Sequence, residues 1–488
     1  MSTLTDPVPP PTSAPARTAV PPGAGAGVWL GFLVVIAASV MDLLDATIAQ
    51  TAAPAIRTDL GGTFTQLEWI SAGYTLALAV GLLVGGRLGD LFGRTQVMLT
   101  GMAGFVVASV LCALAPTAGL LIVARVLQGA IGAIMIPQGF GLIRELFGDE
   151  GQRKAFAVFG PVMGLTAVLG PVVGGALVDL DLFGTGWRSI FLVNVPIGAA
   201  GIWLGLRHLP RSEPSARGQR IDLPSVGLAV AGAFALVYPI VEGRELGWPL
   251  WSIALAFGGV AVLALLGVRQ GRLRGPRAPL FEPSILRRRA YVMGLLLVVT
   301  FIGAMGGMTL ALTVMFQAGL GFSPLDSGVA TIAIPVFAIF GSITSSVTLE
   351  RLGRTTIHIG TATMAIGLVV TDLVLRAQGG DLSAWAIAAP LAVTGFGMGM
   401  VFVPMFDVIL AGVRPDLLGS ASGLLETIQQ LGMSLGIAIV GTVLFGALQG
   451  GGGTAFVDAA DDALLVSAGF LVAAFAFTWW LPRHARES

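Results

Sequence analysis

About fourteen apolar stretches, each near the length needed to cross a bilayer, follow one another from residue 29 to residue 481. They fall near 29–54, 68–87, 96–115, 119–143, 155–177, 189–208, 223–242, 249–269, 290–317, 325–348, 356–377, 384–412, 419–447 and 461–481. A helix needs roughly 20 apolar residues to span the hydrocarbon core. Lipid offers no partner for an unpaired N–H or C=O, so an open sheet is excluded and short links between such runs fit a helical bundle. Composition agrees: 55% of the 488 residues are hydrophobic and only 11% are charged. A soluble domain carries about a quarter charged residues.

The rare residue types exclude several kinds of chemistry. Lysine occurs once, at Lys154, and Ala155 follows it, so the Gly-Lys-Ser/Thr of a nucleotide-binding loop is missing. Cys112 is the single cysteine, which rules out an intrachain disulfide and a thiolate metal site. His208, His358 and His484 have no metal-ligand spacing. No cofactor, no metal and no nucleophile–base constellation of an enzyme is expected, and no nucleic-acid partner. Uphill movement of a solute by such a chain must draw on an ion gradient.

Arginine sets the expected orientation. With the N-terminus in the cytoplasm, the inner loops collect Arg94, Arg144, Arg207, Arg211, the run Arg287-Arg288-Arg289, Arg351, Arg354 and Arg483. The outer loops hold little beyond Arg57, Arg188, Arg244 and Arg376. Trp69, Trp187, Trp248, Trp251 and Trp385 fall at the outer ends, as an interfacial belt would. Residues 1–26, rich in Pro, Ala, Gly and Thr, read as a disordered cytoplasmic tail, and 482–488 as a second. Both termini are therefore expected in the cytoplasm.

The chain also echoes itself. Gly93-Arg94-Thr95 follows the second stretch and Gly353-Arg354-Thr355 follows the tenth. A six-helix repeat would place the second copy after the eighth stretch, so two extra helices are expected between the halves. The expected layout is an N-terminal six-helix half at 27–208, an inserted pair at 223–269 and a C-terminal six-helix half at 290–481. Repeated halves with a site between them are a common transporter plan.

Three charges lie inside otherwise apolar stretches. Asp42 and Asp45 occupy the first, three residues apart and so on one helical face. Arg125 occupies the fourth. A charge at mid-bilayer costs roughly 2.5–3.5 kcal/mol on insertion scales, and such residues pair with one another and mark ion or substrate pathways. A carboxyl here can load and release a proton, with Arg125 biasing it when close. The alternative is a static pair that only fixes helix packing, although buried pairs are poor stabilisers.

Four stretches converge on one family. Gly86-Arg87-Leu88-Gly89-Asp90-Leu91-Phe92-Gly93-Arg94 resembles the loop signature G-x-x-x-D-x-x-G-R of the major facilitator superfamily. Arg125-Val126-Leu127-Gln128-Gly129-Ala130-Ile131-Gly132 resembles its fourth-helix motif. Gly170-Pro171-Val172-Val173-Gly174-Gly175 resembles its fifth-helix antiporter motif. Leu44-Asp45-Ala46-Thr47, with Ala53-Pro54, resembles the first helix of the fourteen-span drug–proton antiporters, as does Trp187-Arg188-Ser189-Ile190-Phe191-Leu192-Val193-Asn194-Val195-Pro196. The chain departs from the usual pattern at Leu91 and Thr95, at Gln50, and in the additional acid Asp42.

The resemblance implies an all-α membrane protein, a major-facilitator bundle of two six-helix halves plus two inserted helices. It implies a monomeric exporter in a bacterial inner membrane that exchanges protons for amphipathic, often cationic, small molecules. Asp45, with Asp42 and Arg125, would couple the protons. Gly86, Asp90, Gly93 and Arg94 would latch one conformation through a charge contact with a neighbouring helix. Gly170, Pro171, Gly174 and Gly175 would form a kinked, close-packed seal.

Later acids are candidates by position. Asp407 and Glu426 lie deep in the twelfth and thirteenth stretches and would attract a cationic substrate. Asp372, near an outer end, is expected to reach water. Met398, Met400 and Met405, with Phe396, Phe402 and Phe406, could line an adaptable apolar pocket. A nutrient importer and a non-transporting sensor or lipid scramblase are the rival readings.

Overall fold

The computed structural model describes residues 25–181, 184–214, 220–243, 245–273, 277–378, 384–411, 413, 417–448 and 455–483. The tail expected over 1–26 lies almost wholly outside the described residues, as do His484 and Arg244.

Among the described residues sixteen α-helices follow one another. They are α1 Ala26–Leu60, α2 Phe64–Phe92, α3 Arg94–Ala113, α4 Ala118–Met135, α5 Gln138–Asp179, α6 Ser189–Leu192, α7 Asn194–His208, α8 Leu223–Glu242 and α9 Leu250–Gln270. The rest are α10 Arg289–Val314, α11 Pro324–Ala330, α12 Ala333–Leu352, α13 Thr355–Gln378, α14 Ala384–Ala411, α15 Leu418–Ala447 and α16 Ala455–Thr478. Among the described residues, fourteen helical segments are long and apolar enough to cross a membrane. α6 with α7, and α11 with α12, each make one such segment, whereas the long α5 carries the end of the fourth and all of the fifth. Its break falls at Gly148, whose φ of 64° is left-handed. The backbone stays helical through Pro171, so the sharp break in this helix is not at the proline.

Local chemistry sets the helix ends. Thr63 and Gln66 form a reciprocal capping box at the start of α2, with Gln66 N donating to Thr63 Oγ1 at 3.1 Å and Thr63 N to Gln66 Oε1 at 3.0 Å. The echoed Gly-Arg-Thr turns share a conformation that favours glycine. Gly93 (φ 90°) ends α2 and Gly353 (φ 54°) ends α12, and a new helix starts within two residues of each.

Packing gathers the helices into two groups. In the first, α1 packs on α5 and α7, and α4 on α2 and α3. In the second, α10 packs on α15 and α16, and α14 on α12 and α13. The groups meet where α2 lies along α15 and α5 along α11. Hydrogen bonds cross this seam from Gln317 Nε2 to the Thr51 carbonyl (2.6 Å), from Leu325 N to Asp179 (3.2 Å) and from Ser434 Oγ to the Ala72 carbonyl (3.2 Å).

The hairpin of α8 and α9 stands beside the seam. α8 touches both α2 and α15, while α9 leans mainly on α8. At one end Trp69 Nε1 donates to Glu242 (2.8 Å), Thr65 Oγ1 donates to Glu245, and Thr442 Oγ1 donates to the Ile240 carbonyl (2.7 Å). At the other, Arg87 donates twice to the Pro279 carbonyl (3.1 and 2.7 Å). A two-residue parallel pairing of Arg220–Ile221 with Arg277–Ala278 closes the base of the hairpin.

The expected tryptophan belt is incomplete. Trp248, Trp251 and Trp385 are exposed, but Trp187 is buried and donates to Asp59 at 2.8 Å, and Trp69 is spent on Glu242. A buried indole needs an acceptor for its N–H, and Asp59 supplies one to Trp187.

Candidate functional site

The apolar interior of the first helix group is split in two. One cluster holds Phe32, Met41, Tyr74, Phe105 and Ala133; the other holds Leu44, Ile48, Ile70, Cys112 and Phe191. A polar layer fills the break between them. Asp45 enters it from α1 and pairs through Oδ2 with Arg125 Nη1 of α4. Asp45 Oδ1 accepts from Gln128 Nε2, one turn along α4, at 2.8 Å and from Asn194 Nδ2 of α7 at 2.9 Å. Both amides also donate to Ser109 Oγ of α3, at 2.9 and 3.2 Å, and Ser109 donates to the Phe105 carbonyl at 2.8 Å.

Arg125 is held on its other sides. Its Nη1 donates to Gln128 Oε1 at 2.7 Å, and its Nε to the Ile70 carbonyl of α2 at 3.2 Å. Its guanidinium carbon stands 4.0 Å from the centre of the Tyr74 ring. Cys112 Sγ donates to Gln128 Oε1 at 3.3 Å. Arg125 is 1% exposed and Asp45 2%. Five helices thus contribute to one dry ion pair, which is tolerated because hydrogen bonds meet nearly every polar atom around it.

Asp42 sits three residues earlier on α1 and is partly exposed. Tyr74 Oη donates to its Oδ1 at 2.5 Å. Tyr74 therefore touches both halves of the pattern, with its ring on Arg125 and its hydroxyl on Asp42. Glu426, on α15 of the second helix group, lies within electrostatic reach of Asp42. The structure brings Asp42, Asp45 and Arg125 together and sets Glu426 across the seam from them. Asp407 is exposed on α14. Met400 and Met405 are core residues, while Phe402 is exposed. Asp372 does not reach water. It is 3% exposed and accepts from Arg376 Nε at 3.1 Å, with Asp461 3.8 Å from the same nitrogen.

The loop residues form a second cluster. Gly93 lets the chain turn sharply into α3, and Arg94 then lies 3.7 Å from Asp90 and 3.7 Å from Glu145 on α5. Gly86 faces Pro137. Gln138 Nε2 donates to the Gly85 and Ile134 carbonyls, both at 2.8 Å, tying α2 to the α4–α5 junction. In the Gly-Pro stretch of α5, a Cβ on Gly170 would strike Thr47, and one on Gly174 would press on Ile48 at 3.0–3.2 Å. A Cβ on Gly175 would overlap the backbone of Pro324 and Leu325 on α11. These small residues let α5 approach α1 and α11 at once.

Residues 35–437 match the family model described as Major Facilitator Superfamily. The chain belongs to the major facilitator superfamily. It is a multi-span member of a transporter family, not of an enzyme family. It is 44% identical to a probable actinorhodin transporter of Streptomyces coelicolor over 91% of this chain and 77% of that protein. It is 33% identical to a puromycin resistance protein of Streptomyces alboniger (89% and 86% covered). It is 32% identical to a tetracenomycin C resistance and export protein of Streptomyces glaucescens (85% and 76% covered). Two solved structures share the fold at low identity. One concerns proton dependent oligopeptide transporters, with a TM-score of 0.64, 16% identity, and 92% of this chain and 98% of that one covered. The other is a D-xylose-proton symporter, with a TM-score of 0.63, 15% identity, and 93% and 98% covered.

Sequence reasoning missed several residues of this major facilitator site. Gln128 and Asn194 lay inside quoted motifs, and their hydrogen-bonding side chains in apolar helices were the available signal. Ser109, Tyr74 and Cys112 gave none, because only the tertiary fold turns them toward Asp45. Glu145 and Gln138 around the loop were also missed.

Proposed function

We propose that this chain is a proton-coupled antiporter that exports amphipathic, often cationic, small molecules across a bacterial inner membrane, with both termini in the cytoplasm. The relatives support export of secondary metabolites or drugs: one is named for tetracenomycin C export and another for puromycin resistance. The observation that carries proton coupling is the Asp45–Arg125 pair. When Asp45 is ionised the buried layer is neutral. When Asp45 takes a proton, Arg125 keeps its charge in a dry site without a counter-ion, which is strongly unfavourable. Protonation must therefore rearrange the helices that carry the pair, and that links proton binding to conformation.

Asp42 and Glu426, from the two sides of the seam, supply negative charge for a cationic substrate. With the arginine-rich loops in the cytoplasm, the seam contacts of Thr51, Asp179 and Leu325 close the outer end. Arg94 with Asp90 and Glu145 is the latch of the inner loop, and Gly170, Pro171, Gly174 and Gly175 seal α5 against its neighbours.

The test is accumulation of dyes and drugs inside energised inverted vesicles, whose outer face is the cytoplasmic one. Asp45→Asn should abolish proton-driven export while insertion into the membrane stays normal; wild-type rates in that variant would remove Asp45 from the mechanism. Glu426→Gln should weaken export of quaternary ammonium compounds more than that of neutral drugs, and equal losses would move Glu426 into the coupling machinery. Proton-driven release of dye from the lumen of these vesicles would favour an importer instead.

A further inference from the structure

Asn194 is the only asparagine among the 488 residues, and it stands in the polar layer. Its Nδ2 donates to Asp45 Oδ1 and Ser109 Oγ, so both its protons are used. Its Oδ1 is fully buried and has no hydrogen-bond partner. The other acceptors around Asp45 are occupied. Gln128 Oε1 accepts from Arg125 and Cys112, Ser109 Oγ accepts from both amides, and both Asp45 oxygens are engaged. The layer is complete for an ionised Asp45 apart from one amide oxygen.

We propose that Asn194 is a positioning residue for the proton carrier. Its carboxamide donates to ionised Asp45 and, after a half-turn about its terminal bond, accepts from the protonated acid. The proposal rests on the reading of Asp45 as that carrier. A neutral carboxylic acid has an O–H that needs an acceptor, and a side-chain amide offers a donor at one end and an acceptor at the other. With the amide fixed as a donor, protonation would leave two buried groups unpaired, the new O–H and the amide oxygen. With the amide turned, Oδ1 meets the O–H, and the Nδ2 end of the amide is left without an acceptor instead. In each protonation state one end of the Asn194 amide is then unpaired, while the carboxyl of Asp45 keeps a partner in both. Gln128 cannot play this part, because Arg125 holds its oxygen in place. Arg125 from α4, Asp42 from α1, Tyr74 from α2 and Cys112 from α3 also face Asp45, and α7 presents Asn194.

Because the residue is unique in the chain, asparagine labelled with 13C and 15N in its side chain reports on this site alone. Isotope-edited infrared spectra of the full-length labelled protein in lipid, followed through the titration of the Asp45 carboxyl band, test the proposal without a variant. The expected result is a shift of the labelled carbonyl band to lower wavenumber in step with Asp45 protonation. A labelled band that stays in place while Asp45 titrates makes Asn194 a fixed donor and overturns the proposal. If Asp45→Asn removes no titrating carboxyl band, Asp45 is not the carrier and both readings are overturned. Asn194→Leu should slow proton-driven export about tenfold or more, the effect of one extra unpaired buried group in one of two states. Asn194→Thr, whose hydroxyl both donates and accepts, should restore most of the rate; equal losses in the two variants would count against a two-faced role.

Discussion

A buried guanidinium and the carboxylate facing it are costly to separate and cheap to remove together. Asp45→Leu leaves Arg125, 1% exposed, without its counter-charge. That loss should destabilise the protein by about 3–5 kcal/mol. Asp45→Leu with Arg125→Met should regain most of this, because two apolar side chains of similar volume fill the layer without a desolvated charge. Thermal unfolding in detergent measures both variants, and export should be absent in each. A double variant as unstable as the single one would mean that the pair serves packing rather than transport. Tyr74 shows why such a test needs side-chain detail. It stacks on Arg125 and donates to Asp42, so its truncation would disturb both charges at once.

The α8–α9 hairpin is tied down by an ion pair between a buried carboxylate, Asp222, and a partly exposed guanidinium, Arg269. Asp222 caps α8 through Ser225 N (3.2 Å) and Ser225 Oγ (2.6 Å), and takes Arg269 Nε and Nη2 from the end of α9 at 2.8 and 3.0 Å. The Arg269 hydrogen bonds, with those of Ser225, hold its carboxyl down at about 2. A carboxyl depressed in the folded state stabilises it above the ordinary carboxylate range and loses that contribution as pH falls toward 2. Protection of the first α8 amides from hydrogen exchange should therefore be flat above that range and decline in acid. Asp222→Asn should lower it by about 2 kcal/mol at neutral pH, the worth of charge-assisted hydrogen bonds; unchanged exchange would show that the parallel pairing of Arg220–Ile221 holds the hairpin alone. The placement of α9 against α8 and away from the seam carries a further expectation. Single cysteines along α9, in a Cys112→Ser background, should label equally with and without substrate, and substrate protection at several sites would bring the pair into the pathway.

At the scale of the whole molecule, two helix groups close on one another at one end, and small residues set how near they come. Gly175 sits where a Cβ would overlap the backbone of Pro324 and Leu325. Gly175→Ala should therefore wedge α5 from α11 at that end and shift the population toward the state open there. Phe64 and Phe445 stack across the same seam, with centroids 4.5 Å apart. A cysteine replacing Phe445 should react faster with a water-soluble maleimide when Gly175 is alanine, and export should fall. An unchanged reaction rate would show that α11 yields instead of the seam opening.

The sequence by itself determined the number and order of the membrane-crossing segments, since lipid demands about 20 apolar residues for each span and internal hydrogen bonding throughout. It also set Arg125 against the acids of the first helix, because opposite charges isolated in apolar helices have few stable solutions other than each other; that Asp45 rather than Asp42 makes the pair is a result of the tertiary structure. It could not say that Ser109, Gln128 and Asn194 complete the layer. Polar side chains of that kind are common in membrane helices, and only packing decides which ones face inward. Nor could it say that Asp372 is buried on Arg376, that Trp187 turns in to Asp59, or that Asp407 is exposed on α14. Those outcomes depend on the rotation of each helix about its axis. That rotation is fixed by close contacts between helices distant in the chain, which no local pattern encodes.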